Sequence, residues 1–221
     1  MPAIATDPAA DPSSATERAY GKLRRMIVTG EIAPAQRLKV ETLKALLDTG
    51  ATPIREALSL LTSDQLVERI DQRGFRSAPA TKARFLEILA LRCTLESLAL
   101  ARAIGNATPE WDERLVLCLH RTTRAPRAVF EESEVHHKAF HMALLEACAM
   151  PMLLRLCGQL YDLNIRYRYL AGTSVEYGRR DIAREHGDVV AAVLDRDATL
   201  AADRLVSHYQ RTGQYLADKL A

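Results

Sequence analysis

The chain is poor in the residues that build β-proteins: 10 Gly, 9 Pro, 5% aromatics and a single Trp in 221 residues. That supplies too little turn and strand chemistry for a sandwich or a barrel. Leu, Ala, Arg and Glu abound instead, so a mainly α fold is expected. No apolar run approaches the ~18 residues that a bilayer-spanning helix needs. The opening MPAIATDPAADPSS has no cationic stretch ahead of an apolar one, so no secretory signal and no membrane association are expected, and a cytoplasmic location follows. Cys93, Cys118, Cys148 and Cys157 lack the CxxC spacing of thiolate metal sites and redox motifs, and read as buried free thiols in helices. An excess of one charge sign is also missing, since 30 Lys+Arg against 28 Asp+Glu leave +2. That balance neither demands nor excludes nucleic acid.

What is present falls into two patterns. Residues 1–14 are rich in Ala, Pro, Asp and Ser without periodicity and are expected to form a disordered leader. From Thr16, apolar Tyr20, Leu23 and Ile27 recur at helical spacing, with Arg18, Lys22, Arg24 and Arg25 opposite, up to a capping Gly30. A second helix is expected over VETLKALLD, and a third opens at Thr52-Pro53, with Thr52 as N-cap and Pro53 at the first helical position. LVERI and FRSAP then read as a hairpin turning through Asp71-Gln72-Arg73-Gly74. Three short helices followed by a hairpin are the layout of a winged helix-turn-helix, placed at residues 15–80. From about residue 81 to 221 the pattern changes to six longer helices: one around Phe85–Ala103, then Trp111–Thr122, Glu132–Ala149, Met152–Leu170, Arg180–Asp195 and Ala198–Leu220. Such a run is expected to fold as a helical bundle.

In a helix-turn-helix the second helix of the motif enters the major groove with its N-terminal residues at base edges. Thr52, Arg55 and Ser59 are therefore expected near DNA. Arg73 and Arg76 flank Gly74 at the expected wing tip, where a cation reaches phosphate or minor groove. The residues Tyr20-(x)2-Leu23-Arg24-(x)2-Ile27-(x)2-Gly30 and Thr52-Pro53-Ile54-Arg55-Glu56-Ala57-Leu58-(x)2-Leu61 resemble the amino-terminal domain of GntR-type transcriptional regulators. The resemblance implies that Glu56 and Leu58 support structure while Thr52, Arg55 and Gly74 meet a double-stranded operator. Gly50 stands where that family usually has Ser or Thr, and Ala51 where it has an Arg that reads a base. Lys44, Arg73 or the basic first helix is expected to compensate.

The histidines form a second constellation. His137 and His141 lie i, i+4 on one helix face, while His136 points about 100° away. His186 and His208 fall on two later helices, each within apolar periodicity. A bundle core is a standard place for a metal, and neutral imidazole suits Zn, Ni, Cu or Fe. Taken singly, each of these residues reads more readily as a hydrogen-bonded core histidine than as a ligand. The bundle is similar to the all-helical FCD-type ligand-binding domain of the FadR branch of GntR regulators, which carries Asp, then Phe-His, then two further His. Here Phe140-His141, His186 and His208 match, and His137 occupies the Asp position. The resemblance implies a divalent transition metal, Zn or Ni, on His137, His141, His186 and His208.

Arg92, Tyr161, Asn164, Arg166 and Arg168 are the expected effector residues, because a guanidinium fork pairs with a carboxylate. Glu96, i+4 from Arg92, offers that arginine an internal partner equally well, and Arg166 and Arg168, i and i+2, cannot both face inward. The stretch from His136 to Arg168 is similar to a subgroup that responds to glutarate and represses its catabolism. The expected protein is a metabolite-responsive homodimeric repressor that takes a small carboxylic acid, such as a dicarboxylate, and binds a near-palindromic operator. A metal sensor and a helical metalloenzyme are the rivals. The enzyme lacks an HExxH motif and leaves the winged module without a role.

Overall fold

Helix α1 (Ala15–Thr29) begins at a reciprocal capping box, in which Ser14 Oγ accepts the Glu17 amide at 3.1 Å and the Glu17 carboxylate accepts the Ser14 amide at 2.7 Å. The computed structural model describes residues 14–71, 73–125, 130–171 and 180–220. The expected leader therefore loses Ser14 to the first helix, and its remainder lies outside the described residues. Helix α1 buries Ala19, Leu23, Ile27 and Val28 and ends at Gly30, whose φ of 84° suits glycine. Strand β1 (Arg37–Leu38), helix α2 (Val40–Leu47) and helix α3 (Ala51–Ser63) follow. The N-cap of α3 is Gly50 rather than Thr52. Proline is tolerated throughout the first turn because its missing N–H has no acceptor inside the helix there, so Pro53 fits two residues later than expected.

Strands β2 (Val67–Ile70) and β3 (Gly74–Ser77) form the antiparallel wing, in a register that pairs Ile70 with Gly74. Strand β1 adds to β3, giving the order β1-β3-β2. This third strand is two residues long, too short to show alternation in sequence. Ser77, fully buried, ties the sheet to the α1–α2 connection by donating to the Ala33 carbonyl at 2.5 Å and accepting the Gln36 amide at 3.0 Å.

The chain divides into two compact units, Met1–Pro79 and Ala80–Ala221. The second contains α4 (Lys82–Gly105), α5 (Pro109–Arg124), α6 (Phe130–Ala143), α7 (Pro151–Ala171), α8 (Ile182–Leu194) and α9 (Ala198–Lys219). Thr81 caps α4 and Thr108 caps α5, each accepting an amide three residues on. Helix α6 stops at Ala143, six residues earlier than expected, and a 3-10 turn over Glu146–Cys148 completes the connection. Helix α4 packs against α7 and α9, α9 against α8, and α5 against α6 and α8. Their shared core holds Leu100, Trp111, Leu115, Phe140, Leu144, Val193 and Leu205. The four cysteines are free; Cys148 and Cys157 are buried in that core, and burial pushes the Cys157 thiol up to about 12.

Trp111 joins α5 to the end of α6 by donating Nε1–H to the Ala143 carbonyl at 2.8 Å. Trp111→Phe keeps a buried ring but leaves that carbonyl without its donor, at an expected cost of about 1–3 kcal/mol. Urea unfolding of the bundle should show a lower midpoint; an unchanged midpoint would mean that the bond contributes nothing.

Candidate functional site

In the amino-terminal unit, Thr52, Arg55 and Ser59 are exposed along α3. Gly50 offers no side-chain cap, so the first amides of α3 have no hydroxyl or carboxylate at the cap position. The Ser59 hydroxyl is occupied by the Arg55 carbonyl at 2.9 Å. Lys44, on α2, binds Glu41 at 2.8 Å. The Glu41 carboxyl lies below its ordinary value, mainly through that hydrogen bond and in smaller part through the charge of Arg55, so α2 and α3 bring Lys44 and Arg55 to a common neighbour. Glu56 accepts from the Thr16 hydroxyl at 2.6 Å, a link between α3 and α1.

Arg73 and Gly74 stand exposed at the hairpin turn, where Gly74 has φ of 90°. Arg76 differs from expectation. It lies inside β3 rather than at the tip, opposite Glu68, whose carboxylate it meets at 2.5 Å and 3.2 Å. Its guanidinium is thus tied across the hairpin.

The carboxy-terminal unit brings His137 and His141 from α6, His186 from α8 and His208 from α9 together, with one ring nitrogen of each within 4.8 Å of the others. The Nε2 atoms of His137 and His141 are 3.2 Å apart and those of His186 and His208 3.3 Å apart. A tetrahedral ion with nitrogens at about 2.0–2.1 Å holds them roughly 3.3 Å from one another. His136, one position away, takes no part. Burial, reinforced by neighbouring cationic and imidazole groups, pushes His137 and His141 well below the usual histidine range. Burial likewise lowers His186 and His208, so the four rings are neutral.

The outer ring nitrogens determine where the inner lone pairs point. His137 Nδ1 meets the Tyr161 hydroxyl at 2.6 Å, and that hydroxyl donates its only proton to Glu134 at 3.1 Å. With the tyrosine proton donated to Glu134, the bond to Tyr161 assigns the His137 proton to Nδ1 and turns the Nε2 lone pair inward, while Arg168 Nη1 stands 3.4 Å from the same Nδ1. The same logic holds for His141: Nδ1 is 2.9 Å from the Tyr209 hydroxyl, which donates to Glu96. His208 donates Nδ1–H directly to Glu185 at 2.8 Å. Three carboxylates therefore stand behind three imidazoles, each with its own arginine. Arg168 holds Glu134 at 2.9 Å, Arg92 holds Glu96 at 2.6 Å, and Arg180 holds Glu185 at 2.7 Å. Partial burial pushes the Glu185 carboxyl up, but hydrogen bonds from His208 and Arg180 outweigh it and hold the group well below the usual carboxylate range.

In the Nδ1-protonated tautomers, the Nε2 lone pairs of His137 and His141 face each other across 3.2 Å. The donor set fits a borderline transition ion: four neutral imidazoles, three of them oriented by hydrogen bonds to their outer nitrogens.

Of the expected effector residues, Arg92, Tyr161, Asn164 and Arg168 line a cavity of about 20 Å³ beside the histidines. Arg92 is already satisfied by Glu96 and lies over the Tyr209 ring, 4.2 Å from its centroid. Arg166 is not part of the cavity. It is buried, its Nε and Nη2 have no hydrogen-bond partner among the described residues, and burial pulls it down to about 10. Arg168, two residues on, is the one that lines the cavity, although both side chains are largely buried. The sequence reading missed Tyr209, Glu134 and Arg180. Glu134 sits one turn before His137 and Tyr209 directly follows His208, but Arg180 carries no comparable positional signal.

Residues 15–76 match the gntR family of bacterial regulatory proteins, and residues 87–211 match the FCD domain. The HTH-type transcriptional repressor GlaR of Escherichia coli (strain K12) is 30% identical over 198 residues, covering 86% of this chain and 90% of that protein. The HTH-type transcriptional regulator BphR of Paraburkholderia xenovorans (strain LB400) is 33% identical over 210 residues, covering 92% and 85%. Among solved structures, E. coli McbR/YncC superposes with a TM-score of 0.77 at 25% identity, covering 93% of this chain and 98% of that one. These relatives are regulators of transcription rather than enzymes. No helix among the described residues is long and apolar enough to cross a membrane. With a gntR-type head on an FCD bundle, the chain belongs to the GntR family of transcriptional regulators, in its FCD-containing branch.

Proposed function

We propose that this regulator is a homodimeric repressor that holds a divalent transition ion, Zn or Ni, on His137, His141, His186 and His208 and releases its operator when a small carboxylic acid binds beside that ion. The observation that supports the reading is the convergence of one ring nitrogen from each of the four histidines within 4.8 Å of one another, with Tyr161, Tyr209 and Glu185 at the outer nitrogens of three of them. A bound ion supplies Lewis acidity and an attachment point for a carboxylate oxygen. Because the four ligands are neutral, they leave the ion's charge uncompensated in a buried place, which favours an anionic guest. Arg168 on the cavity wall suits its second carboxylate, so a dicarboxylate such as glutarate is the expected class. Effector and operator affinities are then linked, each lowering the other by the same factor.

One observation favours a second reading, in which the ion itself is the signal. A cavity of about 20 Å³ has room for a water or an ion and none for a dicarboxylate unless a wall moves. Operator binding measured with metal alone, acid alone and both separates the two: release by metal without acid supports the sensor.

Arg55→Ala should lower operator affinity tenfold or more, in line with about 1–3 kcal/mol for a base-reading arginine. Arg76→Ala, which removes a cation already tied to Glu68, should change it far less. Fluorescence anisotropy checks both, and undiminished affinity in Arg55→Ala would refute the assignment of α3. Elemental analysis should find about one ion per chain, lost in His141→Ala/His186→Ala; unchanged metal content there would place the ion elsewhere. After chelation, the bundle should lose stability as pH falls below about 6.5, since the unfolded histidines take up protons that the buried rings refuse. The slope approaches about 1.4 kcal/mol per pH unit for each histidine. A flat profile between pH 7 and 5 would contradict neutral burial.

A further inference from the structure

The cavity has walls of two kinds. On its polar side Arg168, Tyr161, Arg92, Tyr209 and Thr212 are held in place by polar ties. Arg168 is tied to Glu134, Tyr161 to Glu134 and His137, and Arg92 and Tyr209 to Glu96. Thr212 accepts from Arg180 at 2.7 Å and donates to the His208 carbonyl at 3.1 Å. Moving any of these breaks a buried hydrogen bond or ion pair. The apolar side consists of Leu89 on α4, Ile165 on α7 and Gly213 on α9. Ile165 is buried, whereas Leu89 is only partly buried and has no polar tie. Leu89 is therefore the wall that moves at least cost.

Gly213 explains how Leu89 comes to sit there. A Cβ at position 213 would stand 2.3 Å from Leu89 Cδ2 and 3.3 Å from Cδ1, so the leucine occupies the space that any other residue's side chain would take. Leu89 lies three residues before Arg92 on α4, and Gly213 four residues after Tyr209 on α9. Both pairs share a helix face with the groups behind His141.

We infer that Leu89, seated on Gly213, is the movable wall of the effector cavity and determines the length of the acid it admits. The inference rests on the effector reading above and adds to it the residue that selects among linear dicarboxylates. With Leu89 swung off Gly213 the cavity opens, and the leucine side chain then limits how much aliphatic chain fits between itself and the arginine and histidine wall.

The test is calorimetric titration of the full-length protein, supplied with Zn(II), with linear dicarboxylates of four to eight carbons. The wild type should favour four to six carbons. Leu89→Ala should move the optimum at least two carbons longer and gain at least tenfold for the eight-carbon acid relative to the five-carbon one. Leu89→Met, of similar volume, should keep the wild-type ranking. Gly213→Ala, whose methyl group displaces Leu89 from its seat, should alter the ranking from the opposite helix and covers the case in which Leu89→Ala folds poorly. Wild-type ranking in both Leu89→Ala and Gly213→Ala would overturn the inference and leave the effector reading standing. Failure of every acid to bind any of the four proteins would overturn both.

Discussion

The bundle depends on one constraint: three of the four inward imidazoles are held by a hydrogen bond on the outward nitrogen. His137 and His141 give their Nδ1 protons to tyrosines, and His208 gives its proton to a carboxylate. The tyrosines give theirs in turn to Glu134 and Glu96. A buried carboxylate is costly unless compensated, and Arg168, Arg92 and Arg180 supply the compensation. The chains of contact run through α4, α6, α7, α8 and α9, so the geometry of the histidine cluster and the packing of the helices determine each other.

Electrostatics follow from this arrangement. Each arginine neutralises one carboxylate, and the rings are kept uncharged by burial. The centre is thus an uncharged cradle of lone pairs in which a cation has partners and a proton is disfavoured. A carboxylate in the position of His137 would have brought a negative charge into that cradle; the imidazole brings none.

Local features of the fold were legible because periodicity and capping are local. The helices of both units and the hairpin follow from apolar spacing and from Gly30, Pro53 and Gly74. Errors arose where two local solutions are nearly equivalent. Proline fits anywhere in the first turn, so the cap of α3 was misplaced by two residues. The apolar pattern of Leu144, Leu145 and Cys148 continues past the end of α6, although the chain there turns to Ala149 at φ 57°. The i, i+4 pair of His137 and His141 is visible in the sequence, His186 and His208 stand out by the apolar periodicity around them, and the family resemblance joins the four into one site. The tyrosine and carboxylate partners were not visible, because they come from other helices and only tertiary packing brings them to a ring. The spacing of Arg166 and Arg168 keeps them off one face of α7 but not out of the interior: both are largely buried, and the rotation of α7 places Arg168 at the cavity.

The central claim is that the hydrogen-bond chains fix the tautomers of His137, His141 and His208 before any ion binds. Nitrogen-15 NMR of histidine-labelled, chelator-treated protein at pH 7 tests it most directly. The account predicts neutral rings protonated on Nδ1 at those three positions, with Nε2 shifts of an unprotonated nitrogen. Nε2-protonated rings or imidazolium at His137 and His141 would contradict it.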